Sequence, residues 1–337
     1  MTGSIDLPLI WAFIIAFAVF VYVVMDGFDL GLGILYPLFP EKTDRDVIMN
    51  SVAPVWDGNE TWLVLGGGGL MAAFPLAYAV LMPALYTPMV AMLIGLIFRG
   101  VAFEFRWRTT QGERNRWDMA FTGGSLLAAL AQGIALGAIL QGVHVEGRHY
   151  AGGWWDWLTP FSLLTGLALV VGYSLLGATW LVLKTEGGLR DKAYQLSSSL
   201  LYAMLGAIVA VSVATPFLHV QYTERWFSWP NIILTAPVPI AVAAVSAQLQ
   251  RSLASKWDTQ PFFLSLALFA LSYAGLGISM YPYIVPQSIT IWQAASPPGS
   301  QLFMLVGVAG LIPLILGYTA WAYWVFRGKV RAESGYH

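Results

Sequence analysis

The sequence predicts an all-α integral membrane protein with nine transmembrane helices, its N-terminus outside and its C-terminus inside. Three observations carry that expectation: the scarcity of charge, the long apolar runs, and the uneven placement of Lys and Arg. Of 337 residues, 58% are hydrophobic and only 10% charged, against roughly 25% charged in a soluble domain. So few charges cannot cover the surface of a soluble protein of this size. The net charge of -1 gives no global attraction to nucleic acid. The absence of cysteine excludes disulfides, thiolate haem ligation, iron–sulfur clusters and Cys-type zinc sites. The N-terminus shows no basic stretch before its apolar run and no clear cleavage site, so the first helix is expected to be retained.

A span needs about 20 apolar residues. The first run, Leu7 to Phe39, is interrupted only by Asp26 and Asp29. Thr61 to Phe98 carries no charge. As a single helix it would be about 57 Å long, nearly twice the hydrocarbon thickness, so it must fold back. Pro75 and Pro83 bracket the expected turn. Further runs cover Met119–Gly142, Leu158–Leu183, Ala193–Val220, Asn231–Gln250, Pro261–Tyr283 and Gln301–Phe326. With the N-terminus outside, the inner side receives Lys42, Arg45, Arg99, Arg106, Arg108, Arg114, Arg116, Lys184, Arg190, Lys192, Arg251, Lys256, Arg327, Lys329 and Arg331. Only Arg148 and Arg225 fall outside, as the positive-inside rule demands. Merging the 61–98 run into one span would reverse the densest basic loop. Tryptophans mark both interfaces: Trp154, Trp155, Trp157, Trp226, Trp229 and Trp292 at the outer one, Trp107, Trp117, Trp257 and Trp324 at the inner one.

The loops are too short for a soluble domain. Tyr22–Gly31 (YVVMDGFDLG) and Leu169–Gly177 (LVVGYSLLG) share a pattern, which divides the single membrane domain into a four-helix unit over 1–142, a second over 158–285, and an extra helix over 300–326.

Four features bear on chemistry. First, the histidines are His144, His149, His219 and His337, all expected in loops or at helix ends. A buried haem needs ligands at depth, so the chain is expected to hold no redox metal; the pair His144/His149 reads as solvated loop. Second, Asp26 and Asp29, spaced i,i+3 on one helix face, lie inside a span, where carboxylates usually face protein or water. Asp29 falls about 31 Å beyond Pro8, towards the inner end. Third, the stretch from Asn50 to Trp62 is polar between membrane helices, and Asp57 or Asn59 is placed to cap the next helix. The run Gly66–Gly69 lacks a following GK[ST] and suits close backbone packing rather than phosphate binding. Fourth, Arg99 is the deepest positive charge and needs a counter-ion. The acids gathered on the same membrane side are Asp26, Asp29, Asp57, Glu60 and Glu104, and a structural ion pair among Arg99, Glu104 and Asp26 is the expectation.

Taken together, DGFDLG at 26–31, NSVAPVWDGNETWL at 50–63, RGVAFEFR at 99–106 and GYSLLGATWLVLKT at 172–185 resemble subunit II of the cytochrome bd family of quinol oxidases. The resemblance runs the whole chain; each motif is weak alone, while their order and spacing are specific. The low charge and compact loops look most like the cyanide-insensitive branch. At Val55 some relatives carry histidine, so any proton-carrying role of that side chain is absent here.

The resemblance implies a complex in the bacterial cytoplasmic membrane. The partner, subunit I, would hold two b-type haems and one d-type haem, or three b-type, together with the quinol site. Quinol would be oxidised at the outer face and dioxygen reduced to water with protons from the cytoplasm, without pumping. This chain would support assembly and shape a cytoplasmic proton entry, with Asp57 and Asp29 at the matching acidic positions and Glu60 beside them. A small accessory subunit and a structural quinone against this chain belong to the family's repertoire. Two rivals stand beside this reading. A secondary transporter or channel would want interrupted helices with polar groups at the midplane, whereas helices 4 to 9 carry no charge at mid-depth. A purely structural scaffold would have no proton role.

Overall fold

The structure, a computed structural model, describes residues 6–110 and 112–330; Arg331 and His337 lie outside the described residues. Apolar runs become helices because in lipid every backbone polar group must be satisfied within its own segment. In order these are α1 (Leu7–Leu35), α2 (Lys42–Val52), α3 (Trp56–Ala73), α4 (Pro75–Ala84), α5 (Tyr86–Arg108), α6 (Arg114–Leu140), α7 (Pro160–Lys184), α8 (Gly187–Ala214), α9 (Val220–Phe227), α10 (Ile232–Thr235), α11 (Pro237–Ala254), α12 (Gln260–Met280), α13 (Ile291–Ala294) and α14 (Pro298–Val325). Two short antiparallel hairpins pair β1 (Val145–Glu146) with β2 (His149–Tyr150), and β3 (Tyr283–Val285) with β4 (Ile289–Thr290).

Among the described residues, eight helices are long and apolar enough to cross a membrane. The uncharged run after Thr61 is broken twice, at Phe74 between α3 and α4 and at Leu85 between α4 and α5. The fold-back therefore contains a short helix of its own. α3 falls outside the eight because its first turns hold Asp57, Asn59 and Glu60 and its middle is Gly66–Gly69.

α1, α5, α6 and α7 form the buried middle, and they approach through glycine. A Cβ on Gly31 of α1 would collide with the Tyr173 carbonyl oxygen of α7, and one on Gly177 would come within 2.6 Å of the Gly31 backbone. The two segments that share the sequence pattern thus cross each other. A Cβ on Gly66 or Gly69 would lie 3.0 or 3.2 Å from the Val19 or Ile15 side chain of α1, while one on Gly67 or Gly68 would meet nothing within 4 Å. The run thus packs closely against α1 on the Gly66/Gly69 face and is open on the Gly67/Gly68 face. α14 lies outermost, with Gln301 its one buried residue.

The two ends of the bundle differ. At one, Trp11 Nε1 donates to the Gln301 carbonyl at 3.1 Å, Ser296 N donates to the Ala73 carbonyl at 2.9 Å, and Trp292 meets Asp6. At the other lie two polar clusters. In the first, Asp118 of α6 accepts from Arg106 Nε at 2.7 Å and from Arg45 at 3.0 Å, and Arg106 also pairs with Asp46 at 2.7 Å. In the second, Lys329 donates to Asp258 at 2.8 Å and to the Val182 and Thr185 carbonyls, while Lys184 reaches the Phe326 carbonyl.

Burial pushes the Asp258 carboxyl up, but hydrogen bonds from Lys329 and Tyr194 and the charges of Lys329 and Arg190 hold it below the usual carboxylate range. A depressed pKa gives stability that is present above the unfolded value, about 3.9 for Asp, and is lost as pH falls through the folded one. The segment after α14 is therefore expected to stay clasped at neutral pH and to loosen only below about pH 4. Limited proteolysis near Arg327 across pH checks this; a segment equally open at pH 7 and pH 3.5 would contradict it.

Candidate functional site

The polar residues inside the spans converge on one buried cluster near the second end of the bundle. Asp26 and Asp29 sit one turn apart on α1, both fully buried. α5 brings Arg99, also fully buried, against them. Arg99 Nη2 bonds Asp26 Oδ1 and lies 2.6 Å from Glu60 of α3, and Nη1 lies 3.8 Å from Asp29. The guanidinium also lies 5.7 Å from the centroid of the Trp56 ring, which stacks on Phe103 with 5.1 Å between centroids. Trp56 thus lies against the cation from the α3 side.

Asn59 ties the helices together. Its Nδ2 donates to Asp29 at 2.8 Å, and its Oδ1 accepts from Tyr323 of α14 at 2.9 Å. Tyr22 stands one turn before Asp26 on α1. Gln132 of α6 donates to Tyr22 at 2.7 Å and accepts from Tyr173 of α7 at 2.7 Å.

Exposure rises from the buried members of the cluster to the start of α3 through its acids. The side chains of Arg99 and Asp29 are 0% exposed and that of Glu60 is 28% exposed, and Asp57, one turn before Glu60, is exposed. Three carboxylates therefore surround one guanidinium, and a fourth, Asp57, is exposed on the first turn of α3.

Of the residues singled out in the sequence, the structure brings together Asp26, Asp29, Glu60 and Arg99. Glu104 is not among them: it is exposed and faces Arg108 at 3.5 Å. Five residues beyond Arg99, it is rotated about 140° round the helix and points away. Neither Asp57 nor Asn59 caps α3. The helix begins at Trp56 with Val55 before it and no side-chain cap, so Asp57 sits in the first turn, where its charge suits the helix dipole. The residues missed at the sequence level are Tyr22, Asn59 as a bridge, Gln132, Tyr173 and Tyr323. They are uncharged and come from five helices, so no local spacing signals them; Gln132, a lone amide in an apolar span, was the one available hint.

Haem is the cofactor that the family resemblance implies, in the partner subunit I, and His219 and His144 of this chain are engaged elsewhere. His219 Nε2 is engaged 2.7 Å from the Gln141 carbonyl, and His144 faces Glu146 on an exposed hairpin. Among the described residues no group of three His, Cys, Asp or Glu could hold a metal ion.

Fold and site define a multi-pass helical membrane subunit with a buried, acid-rich ion cluster. The family model for cytochrome bd terminal oxidase subunit II matches residues 7–326, and the chain belongs to that family. It is 31% identical to cytochrome bd-I ubiquinol oxidase subunit 2 of Escherichia coli K12, over 97% of this chain and 96% of that one. It is 26% identical to cytochrome bd ubiquinol oxidase subunit 2 of Bacillus subtilis, over 95% and 96%. The fold matches a chain of the bd oxidase of Geobacillus thermodenitrificans with a TM-score of 0.73, covering 95% of this chain and 99% of that one at 19% identity. The chain is a subunit of a bd-type oxidoreductase complex and a multi-pass protein of the bacterial cytoplasmic membrane.

Proposed function

We propose that this chain is the haem-free supporting subunit of a quinol:dioxygen oxidoreductase and supplies its cytoplasmic proton entry, through Asp57, Glu60, Asp29 and the Arg99 cluster. It associates with a haem-bearing subunit I, which carries the b- and d-type haems, or three b-type, and the quinol site. In this reading α3 is a ninth crossing. Its Asn59 contacts the α1 cluster while its last residue, Ala73, accepts from Ser296 at the opposite end, and eighteen residues span about 27 Å. The N-terminus then lies outside and the clusters around Asp118 and Asp258 lie inside, where the positive charges belong. The units 1–142 and 158–285 and the extra helix 300–326 follow from the same arrangement.

One observation carries the proton reading: three carboxylates share one buried guanidinium, and side-chain exposure rises from Asp26 and Asp29 through Glu60 to Asp57. With all three ionised the site would bear a net charge of -2 in a low-dielectric region, which costs several kcal/mol. Taking up a proton removes much of that cost, so the cluster is a proton-binding site by charge balance. Asp57, exposed on the first turn of α3, is the acid of this set that meets solvent.

The test is Asp57→Asn in the assembled oxidase. The shape is kept and the titrating group is lost, so dioxygen reduction is expected to slow about tenfold or more with haem content intact. Because Asp57 makes no cap, Asp57→Ala is expected to match the Asn variant in stability. Wild-type turnover with full haem content in the Asn variant would leave the scaffold reading in its place.

A further inference from the structure

We infer that Asn59, held by Tyr323 of α14, positions Asp29 for proton exchange: its amide N–H keeps Asp29 Oδ2 as a standing acceptor and leaves Oδ1 as the oxygen that takes and gives the proton. This assignment rests on the proton-entry reading and adds two uncharged positioning residues to it.

The hydrogen-bond directions carry it. Asn59 Nδ2 lies 2.8 Å from Asp29 Oδ2 and 3.4 Å from the Met25 carbonyl oxygen, both on α1. A backbone carbonyl only accepts, so the amide nitrogen faces α1 whatever the charge on Asp29. Asn59 Oδ1 then points the other way and accepts from the Tyr323 hydroxyl at 2.9 Å. Turning the amide over would set Asn59 Oδ1 against the Met25 carbonyl and give up the Tyr323 proton. The Tyr323 ring is fixed for this task. It stands edge-on to Phe28 of α1 and Trp180 of α7, with 6.5 and 6.3 Å between centroids. The chain beyond α14 is tied to α7 as well, where Val330 N donates to the Lys184 carbonyl at 2.8 Å.

The two oxygens of Asp29 are thereby unequal. Oδ2 accepts from Asn59 and lies 3.8 Å from Arg99 Nη1, whereas Oδ1, also buried, has no hydrogen-bond partner among the described residues. A proton on Oδ2 would be set against the Asn59 N–H, while Oδ1 is committed to no donor. Exchange therefore runs through Oδ1. When that proton leaves, the Asn59 N–H stabilises the carboxylate left behind, so Asp29 can pass its proton on instead of keeping it. The charged and titratable groups around Asp29 are Asp26 on α1, Glu60 on α3, Arg99 on α5 and, through Asn59, Tyr323 on α14. Asn59 and Tyr323 do not carry the proton themselves, since an amide relays one only through its imidic acid tautomer. They act through Asp29, and they make the outermost helix, α14, part of the proton entry.

The test uses the whole oxidase with both subunits and its haems, comparing wild type with Asn59→Leu, Tyr323→Phe and Asp29→Asn. Infrared difference spectra are titrated with pH, and the carboxyl stretching band that disappears in Asp29→Asn is followed, with turnover per haem in parallel. Asn59→Leu keeps the side-chain bulk and removes the N–H. The midpoint of the Asp29 band is then expected to move up by about one pH unit, a tenfold gain in proton affinity. Tyr323→Phe keeps the ring against Phe28 and Trp180 and removes only the hydroxyl that orients the amide, so the midpoint is expected to move the same way by less. Both variants are expected to turn over more slowly per haem, whereas a packing defect would lower the yield and leave the midpoint in place. Where Asn59→Leu fails to assemble, the Tyr323→Phe complex decides alone. A midpoint unmoved in the assembled variants while Asp29→Asn is slow would overturn the assignment. So would an Asp29 band that does not titrate. Wild-type turnover in Asp29→Asn would instead remove Asp29 from the proton-entry reading itself.

Discussion

Arg99→Leu is expected to remove most of the assembled oxidase from the membrane. Arg99 is the one cation among Asp26, Asp29 and Glu60, and its guanidinium is fully buried. Deleting it leaves carboxylates that face only one another, and breaking a buried pair on one side costs about 3–5 kcal/mol. That is comparable to a large share of the 5–15 kcal/mol that stabilises a typical folded domain. The cluster can escape part of the cost by protonating, so the loss is set by how many protons it must take up. Arg99→Lys keeps the charge but offers one point donor in place of a planar fork over Trp56, and is expected to recover assembly in part. The measurement is haem recovered through a tag on this chain, together with turnover per haem. Low recovery with near-normal turnover per haem is the expected pattern. Full recovery with lost turnover would move Arg99 from holding the site together to acting in the chemistry.

Gly31→Val is expected to be as damaging, although it touches no charge. The Cβ would strike the Tyr173 carbonyl and crowd the Gly177 nitrogen. These are backbone atoms that cannot rotate away, so α1 and α7 must separate. Overpacking a well-filled interior costs about 1–3 kcal/mol even where side chains can give, and here they cannot. Separation would also draw Tyr22 away from the Gln132–Tyr173 pair. Thermal denaturation of the purified complex should show a clearly lower midpoint and reduced yield. Gly206→Ala is the control: nothing lies within 4 Å of its added Cβ, and its effect should stay within about 1 kcal/mol. Equal stability of the two variants would contradict the close α1–α7 approach.

The fold was legible because composition and apolar run length respond directly to lipid. Run length required the 61–98 stretch to double back, and the two prolines lie inside the break. What run length could not supply was the helix α4 within that turn, nor that α3 would begin at Trp56. That two-residue difference moved Asp57 from a cap to the first turn. The site was legible where charge made it costly: Asp26, Asp29, Glu60 and Arg99 stand out because ions inside a span need partners. The error at Glu104 came from counting nearness in sequence, since a residue five places along a helix faces another way, while Asp26, seventy-three residues distant, meets Arg99 across a helix contact. Tyr22, Gln132, Tyr173 and Tyr323 were invisible for the opposite reason. Neutral polar residues scattered over α1, α6, α7 and α14 acquire meaning only once the helices are packed.

The most direct test of the central claim is proton uptake during a single oxidation of the reduced complex, reconstituted in vesicles with a pH indicator on the cytoplasmic face. Wild type and Glu60→Gln would be compared at equal haem content. Glu60 stands between exposed Asp57 and the buried Arg99 cluster, so its amide variant interrupts the path without removing the cation or its two α1 partners. Uptake from the cytoplasmic side in wild type, delayed about tenfold or more in Glu60→Gln with haem spectra unchanged, is the predicted result. Uptake in the variant at the wild-type rate would contradict the claim that this chain carries the proton entry.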